Sequence, residues 1–165
     1  MKTLWAPWRM DYLKSKDRKK GCVFCHGLKR KNGEKSLILY VNDHSFINLN
    51  KYPYNSGHMM VLPKRHVGAI EDLNKLEYIS LFETLRQAIA VLKRAYKPEG
   101  INIGLNLGAA AGAGIRDHIH FHLVPRWHGD TNFMPLLGET KVVSEHLRES
   151  FKRLSKQFNR LRKKP

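Results

Sequence analysis

The sequence predicts an α+β fold: an antiparallel sheet of about five strands with two main helices. Three observations carry this. Five short β-rich runs are separated by turn signals. Two longer stretches repeat apolar residues every three or four positions, the period of a helix with one buried face. The strands come in groups rather than alternating singly with helices, in the order β-β-β-α-β-β-α, which is the pattern of an antiparallel sheet. At 165 residues and 42% hydrophobic, the chain has the size and composition of one domain, residues 1–165.

The elements follow in order. Residues 1–36 form a basic N-terminal segment that contains "CVFC", Cys22 to Cys25. In it Trp5, Trp8 and Tyr12 read as packing residues and Arg9 as a group able to reach an anion. "SLILYVND" and "HSFINLN" read as a hairpin turning at Asn42-Asp43. "YPYNSG" is a loop by its Pro, Asn and Gly, and "HMMVLPKR" is a third strand ended by Pro63. From Asp72 to Tyr96, Leu73, Leu76, Ile79, Phe82, Leu85, Ile89, Leu92 and Tyr96 mark the apolar stripe of a long helix. Glu71 and Asp72 suit its start, and Lys93, Arg94, Pro98 and Gly100 its end. "INIGLNL" and "HIHFHLV" are strands four and five, with the small-residue loop "GAAAGAG" between them. A basic C-terminal helix, residues 144–165, carries Val143, Leu147, Phe151, Leu154, Phe158 and Leu161 as its stripe and Ser144 as its cap.

The formal net charge is +16, unevenly placed. Residues 1–36 hold eleven Lys/Arg against three Asp/Glu, residues 144–165 hold eight against two, and the middle holds eleven against nine. A uniformly basic nucleic-acid groove through the middle is therefore not favoured, although basic termini attract polyanions. No apolar run is long enough to span a bilayer and the N-terminus lacks an apolar core, so a cytoplasmic protein without a membrane partner is expected. Two cysteines do not make a disulfide scaffold. Cys22 and Cys25 read as a metal half-site or as reduced thiols.

The chemistry concentrates in "DHIHFHLVPRW". His118, His120 and His122 occupy alternate positions, with Ile119, Phe121 and Leu123 between them. On a strand, alternation puts the three imidazoles on one face, roughly 7 Å apart from one to the next. Such a row either binds metal or attacks phosphorus. The preceding "GAAAGAG" loop, Gly108–Gly114, lets backbone N–H groups approach a ligand and suits a phosphate pocket. Arg116 shares a face with His118 if the strand extends back that far, and Arg126 lies four residues beyond His122; either can add charge near an anion.

"HIHFHLV" resembles the signature of the histidine triad (HIT) family of nucleotide hydrolases and transferases. "NLNKYPYNSGHMMVLPKRH" resembles that family's strand-loop-strand. "LWAPWRMDYL", "GLNLGAAAGAG" and "VPRWHGDTNFMP" resemble a branch that includes bacterial diadenosine tetraphosphate phosphorylases. The resemblance implies a HIT-like fold, a homodimer joined through the long helix and a sheet edge, and cleavage of an adenine dinucleoside polyphosphate. His120 would attack the α-phosphorus to give a covalent nucleotidyl-histidine, and His122 would contact the same phosphate. Asn50, eight residues before His58, would hold the ribose. Asn106 would lie near the phosphates, Gly112 and Gly114 would offer backbone donors, and Trp127 would border the pocket. His58 would have a structural or pocket role. Relatives in the family also imply zinc, held by Cys22, Cys25, His66 and His118. His118 cannot be both ligand and free catalytic group, and the ligand role is favoured. Phosphorolysis to ADP and ATP is the expected reaction. Hydrolysis of dinucleoside polyphosphates or AMP phosphoramidates is the first alternative. A basic nucleic-acid-binding protein with a metal-only histidine site is the second.

Overall fold

The computed structural model describes residues 21–30, 33–130 and 145–162. The readings of Trp5, Trp8, Arg9, Tyr12, Val143 and Ser144 lie outside the described residues. The elements are α1 (Val23–Lys29), α2 (Gly33–Ser36), β1 (Ile38–Val41), β2 (Ser45–Leu49), β3 (Met59–Pro63), α3 (Lys75–Tyr96), β4 (Gly100–Leu105), β5 (Phe121–Arg126) and α4 (Leu147–Arg162). The five strands form one antiparallel sheet in the order β1-β2-β3-β5-β4. The α+β class and the five-strand count follow the sequence expectation. The short helices α1 and α2 were not anticipated, because seven and four residues are too few for a helical period to show.

The period-2 pattern sorts the side chains. Ile47, Leu49, Met59, Val61 and Leu123 face Leu81, Leu85, Ala88 and Leu92 of α3 and Leu154 and Phe158 of α4, and these form the main core. The other face carries Phe46, Met60 and Leu62, covered by Phe24 of α1. His122 pairs with Met60 on one side and with Gly104 on the other, so it stands on this second face. The hairpin turn lies at Asn42 as expected. The Asn42 side chain accepts from the N–H of Ser45 (2.7 Å) and donates to Thr84 Oγ1 (2.8 Å), tying the turn to α3.

Two expectations need correction. Helix α3 starts at Lys75, not Asp72. Asn74 caps it, accepting from the Glu77 N–H (2.9 Å), while Glu77 accepts from the Asn74 N–H (3.0 Å). This reciprocal box fixes the first turn beyond Asp72. Its buried side is built on Leu81, Leu85, Ala88, Val91 and Leu92, whereas Ile79 (53% exposed) and Phe82 (40%) point away from the core. The helix therefore carries a second apolar face, and a stripe counted at three and four merges the two.

The second correction is the start of β5, at Phe121 rather than His118. The β3–β5 ladder ends at the Val61–Phe121 pair. Two residues further along β3 stands Pro63, which has no N–H to donate. The chain at 118–120 instead crosses the segment after β3, with the Ile119 N–H donating to the Val67 carbonyl (2.8 Å). Gly68 permits the crossing: a Cβ there would lie 3.2 Å from the Arg116 carbonyl oxygen. Arg116 consequently sits in an exposed bend and not on the strand.

Arg65 leads into this crossing and is held by a two-pronged ion pair to Glu77 (2.7 and 2.8 Å). The guanidinium, together with the Asn74 N–H, holds the Glu77 carboxyl down at about 2 against its ordinary 4.5. A depressed carboxylate contributes stability that is complete above the ordinary value and is lost as pH falls towards the folded one. Glu77→Gln should therefore lower the melting temperature at neutral pH. The gap to the unsubstituted chain should close between about pH 4.5 and pH 2; a gap constant across that range in thermal melts would contradict this.

Candidate active site and metal cluster

The three histidines keep their alternation although only His122 belongs to β5. His118 is 0% exposed, His120 6%, and the intervening Ile119 2%. The rings of His120 and His122 lie 4.9 Å apart, closer than one full strand step of roughly 7 Å. Their hydrogen bonds fix the tautomers: His118 and His122 carry the proton on Nε2, and His120 between them carries it on Nδ1.

His118 donates from Nε2 to the Pro63 carbonyl (2.8 Å), which leaves Nδ1 unprotonated, as an acceptor or ligand atom. His120 does the opposite. Its Nδ1 donates to the carbonyl of His118 (2.9 Å), so its lone pair is on Nε2. Burial lowers the pKa of His120 below the ordinary histidine value, and the bond to the His118 carbonyl only partly offsets this. A neutral imidazole with a fixed lone pair is a nucleophile at physiological pH.

His122 is oriented by a residue outside the row. The Tyr54 N–H donates to His58 Nδ1 (3.1 Å), so the proton of His58 lies on Nε2, which donates to His122 Nδ1 (3.0 Å). The proton of His122 is thereby placed on Nε2, as a donor. Tyr54 stacks on His58 (4.9 Å, 20°) and holds its plane. His58 is fully buried and is the orienting partner that sequence reasoning left without a chemical role. Strand register would have found it: His58 precedes Met60 by two, and Met60 pairs with His122.

Nδ1 of His118 points towards the cysteines. It lies 3.4 Å from Cys22 Sγ and 3.6 Å from Cys25 Sγ, and Cys25 Sγ lies 3.6 Å from His66 Nδ1. All four donor atoms fall within 4.8 Å of one another. A tetrahedral zinc with Zn–S near 2.3 Å and Zn–N near 2.05 Å sets S···N edges of about 3.6 Å. Burial and the neighbouring Cys22 both push the Cys25 thiol up, an effect that a cation bound beside it would oppose. The donor set and its dimensions fit a tetrahedral metal, and the His118 N–H bond to Pro63 is the outer contact that orients such a ligand.

The remaining expected residues divide. Asn50 accepts from the Tyr52 N–H (2.9 Å) and its amide nitrogen lies 3.4 Å from His58, beside the relay. Asn106 follows Leu105, the partner of Phe121, just past the end of β4. On the face of His122 a Cβ at Gly104 would meet nothing within 4 Å, leaving space beside that ring. Gly112 does not present its N–H outward: it donates to the Ala109 carbonyl (2.9 Å), inside a tight turn that needs positive φ at Gly108 and Gly112. Gly114 lies in the exposed bend after that turn. Trp127 packs edge-on against Tyr96 (6.3 Å) at the far end of β5 from His118. Arg126 is engaged by Asp130 through two contacts (2.6 and 2.7 Å), which hold the Asp130 carboxyl at about 2, and by Asn102 (2.9 Å). These contacts tie Arg126 to the end of β5.

Comparison with known proteins finds relatives over most of the chain. The family model for the HIT domain matches residues 31–129, a span that contains His66 and all three triad histidines but begins after Cys25. A curated relative, an AP-4-A phosphorylase from Mycobacterium tuberculosis, is 36% identical over 167 residues, covering 97% of this chain and 86% of that protein. A bis(5'-adenosyl)-triphosphatase from Dictyostelium discoideum is 29% identical over 128 residues, covering 77% of this chain and 84% of that one. Among solved structures, a hypothetical histidine triad nucleotide-binding protein from Sulfolobus tokodaii superposes with a TM-score of 0.69 at 26% identity, over 86% of this chain and 94% of that one.

Proposed function

The chain belongs to the HIT domain family, and on that premise we propose that it cleaves diadenosine tetraphosphate by phosphorolysis through a nucleotidyl-His120 intermediate. The observation that carries the reading is the pair of opposite tautomers on neighbouring histidines. His120 presents a lone pair on Nε2, and His122 presents a proton on Nε2, with the two rings 4.9 Å apart.

The steps follow from those atoms. Nε2 of His120 attacks the α-phosphorus, forming a P–N bond as the bond to the bridging oxygen breaks and ATP leaves. Nε2–H of His122 donates to a phosphate oxygen as charge builds there. Inorganic phosphate then attacks the same phosphorus, forms a P–O bond, breaks the P–N bond and leaves as ADP. Asn50 and Asn106 flank the histidines and serve the ribose and the phosphates. Gly112 is turned into its own loop, so phosphate recognition rests on the histidines and Asn106 more than on that glycine. His120→Ala should reduce turnover by at least about 10³-fold without unfolding the chain. Labelled diadenosine tetraphosphate should yield ADP and ATP, with ADP rising saturably with added phosphate. AMP as the main product at millimolar phosphate would make the enzyme a hydrolase.

Zinc is the metal we assign to Cys22, Cys25, His66 and His118, by the S₂N₂ donor set. It would act structurally, closing a four-ligand site that ties the start of α1 to His118, two residues before the nucleophile. His118 is then a ligand rather than an acid or base. Elemental analysis should find about one zinc per chain. Cys22→Ser should remove it and lower thermal stability more than it lowers the chemical step in metal-replete samples. Protein purified without chelator and free of zinc would contradict the site.

The chain acts as one catalytic unit, with residues 1–36 as a basic segment contributing the two cysteines. Two such units would pair through Ile79 and Phe82 of α3 and β4, the edge strand among the described residues, where Ile103 is exposed. No helix among the described residues is long and apolar enough to cross a membrane.

A further inference from the structure

Between Cys22 and Cys25 lie Val23 and Phe24, and only one of them turns inward. Val23 is 57% exposed and Phe24 7%. The Phe24 ring lies 5.2 Å from that of His120, tilted by 54°, and 5.6 Å from that of His118, edge-on at 82°. Phe46, Met60 and Leu62 complete its pocket. One side chain thus touches both the imidazole facing the cysteines and the imidazole assigned as nucleophile.

We propose that Phe24 is a positioning residue for His120, delivered to it by the C-x-x-C turn; this rests on the proposed nucleophilic role of His120. The hydrogen bond from His120 Nδ1 to the His118 carbonyl restrains one atom of the ring. A single bond anchors one atom, so coupled rotation about Cα–Cβ and Cβ–Cγ can still displace Nε2, and an error of about 1 Å in the attacking atom can cost 10²-fold in rate. Phe24 fills the space into which the ring would swing. It also keeps water from competing for the His118 carbonyl. Helix α1 has seven residues, too short to persist alone. Its place on the sheet is set by what it touches, namely the Phe24 pocket and the cysteine contacts to His118 and His66. The cysteines hold the turn, and the turn holds the phenyl ring against the nucleophile. Nearly all of Phe24 is covered, so it offers substrate no surface and should govern kcat rather than KM.

The test uses Phe24→Ala and Phe24→Leu as metal-replete full chains. Steady-state kinetics with diadenosine tetraphosphate and phosphate should show kcat reduced about 10- to 100-fold in Phe24→Ala, with KM within about threefold. Phe24→Leu, which restores apolar volume, should recover most of that loss. By NMR, the His120 Nδ1–H should exchange slowly with solvent in the unsubstituted protein and in Phe24→Leu, and fast in Phe24→Ala. If Phe24→Ala fails to retain metal, Phe24→Val replaces it, being apolar yet too short to reach the ring, and the same two losses are expected. Unchanged kcat, a loss carried wholly by KM, or unchanged Nδ1–H exchange would overturn the proposal. An unsubstituted protein that never turns over the dinucleotide would refute the proposed function instead, and the exchange measurement would still decide the role of Phe24.

Discussion

Two main-chain carbonyls decide what the histidines can do. The Pro63 carbonyl takes the Nε2 proton of His118, and the His118 carbonyl takes the Nδ1 proton of His120. Both are available because the ladder stops where proline has no N–H to give. Had β5 continued back to His118, regular pairing would have engaged these groups between strands. The interruption turns three chemically equal side chains into three different ones. The first is a ligand with a bare Nδ1, the second a nucleophile with a bare Nε2, and the third a donor whose proton is fixed by His58.

The alternation of the triad, the antiparallel sheet, the hairpin at Asn42 and the proline-terminated third strand were all legible in the sequence, because each rests on period or on turn chemistry. The cysteine half of the metal cluster was legible in the C-x-x-C spacing, but its histidines were legible only through family resemblance, since the Cys–His contacts span 41 to 96 residues. The His58 relay escaped because it depends on which residues of β3 and β5 face each other. The break before Phe121 escaped for a related reason: the alternation of side chains survives the loss of backbone pairing, so hydrophobic pattern alone does not register it. The second apolar face of α3 escaped because two stripes at helical spacing look like one.

The catalytic and metal-binding groups share a frame with the helix cap. Glu77 closes the capping box of α3 and also grips Arg65. Arg65 is followed directly by His66, whose ring meets that of His118 edge-on at 5.2 Å. Cap, cluster and nucleophile are therefore linked by consecutive contacts through short side chains and main chain. At the other end of β5, Asp130 receives Arg126, Asn55 and the Trp127 N–H. The strand bearing His122 is pinned at both ends, and Asn55 belongs to the loop that delivers His58.

The tautomers themselves are the most direct measure of this account. Nitrogen-15 chemical shifts of the imidazoles at neutral pH should place the proton of His120 on Nδ1 and those of His58 and His122 on Nε2. His118 should carry its proton on Nε2 with Nδ1 unprotonated. A His120 protonated on Nε2, or exchanging freely between the two forms, would leave the site without a fixed nucleophile and would contradict the mechanism derived from it.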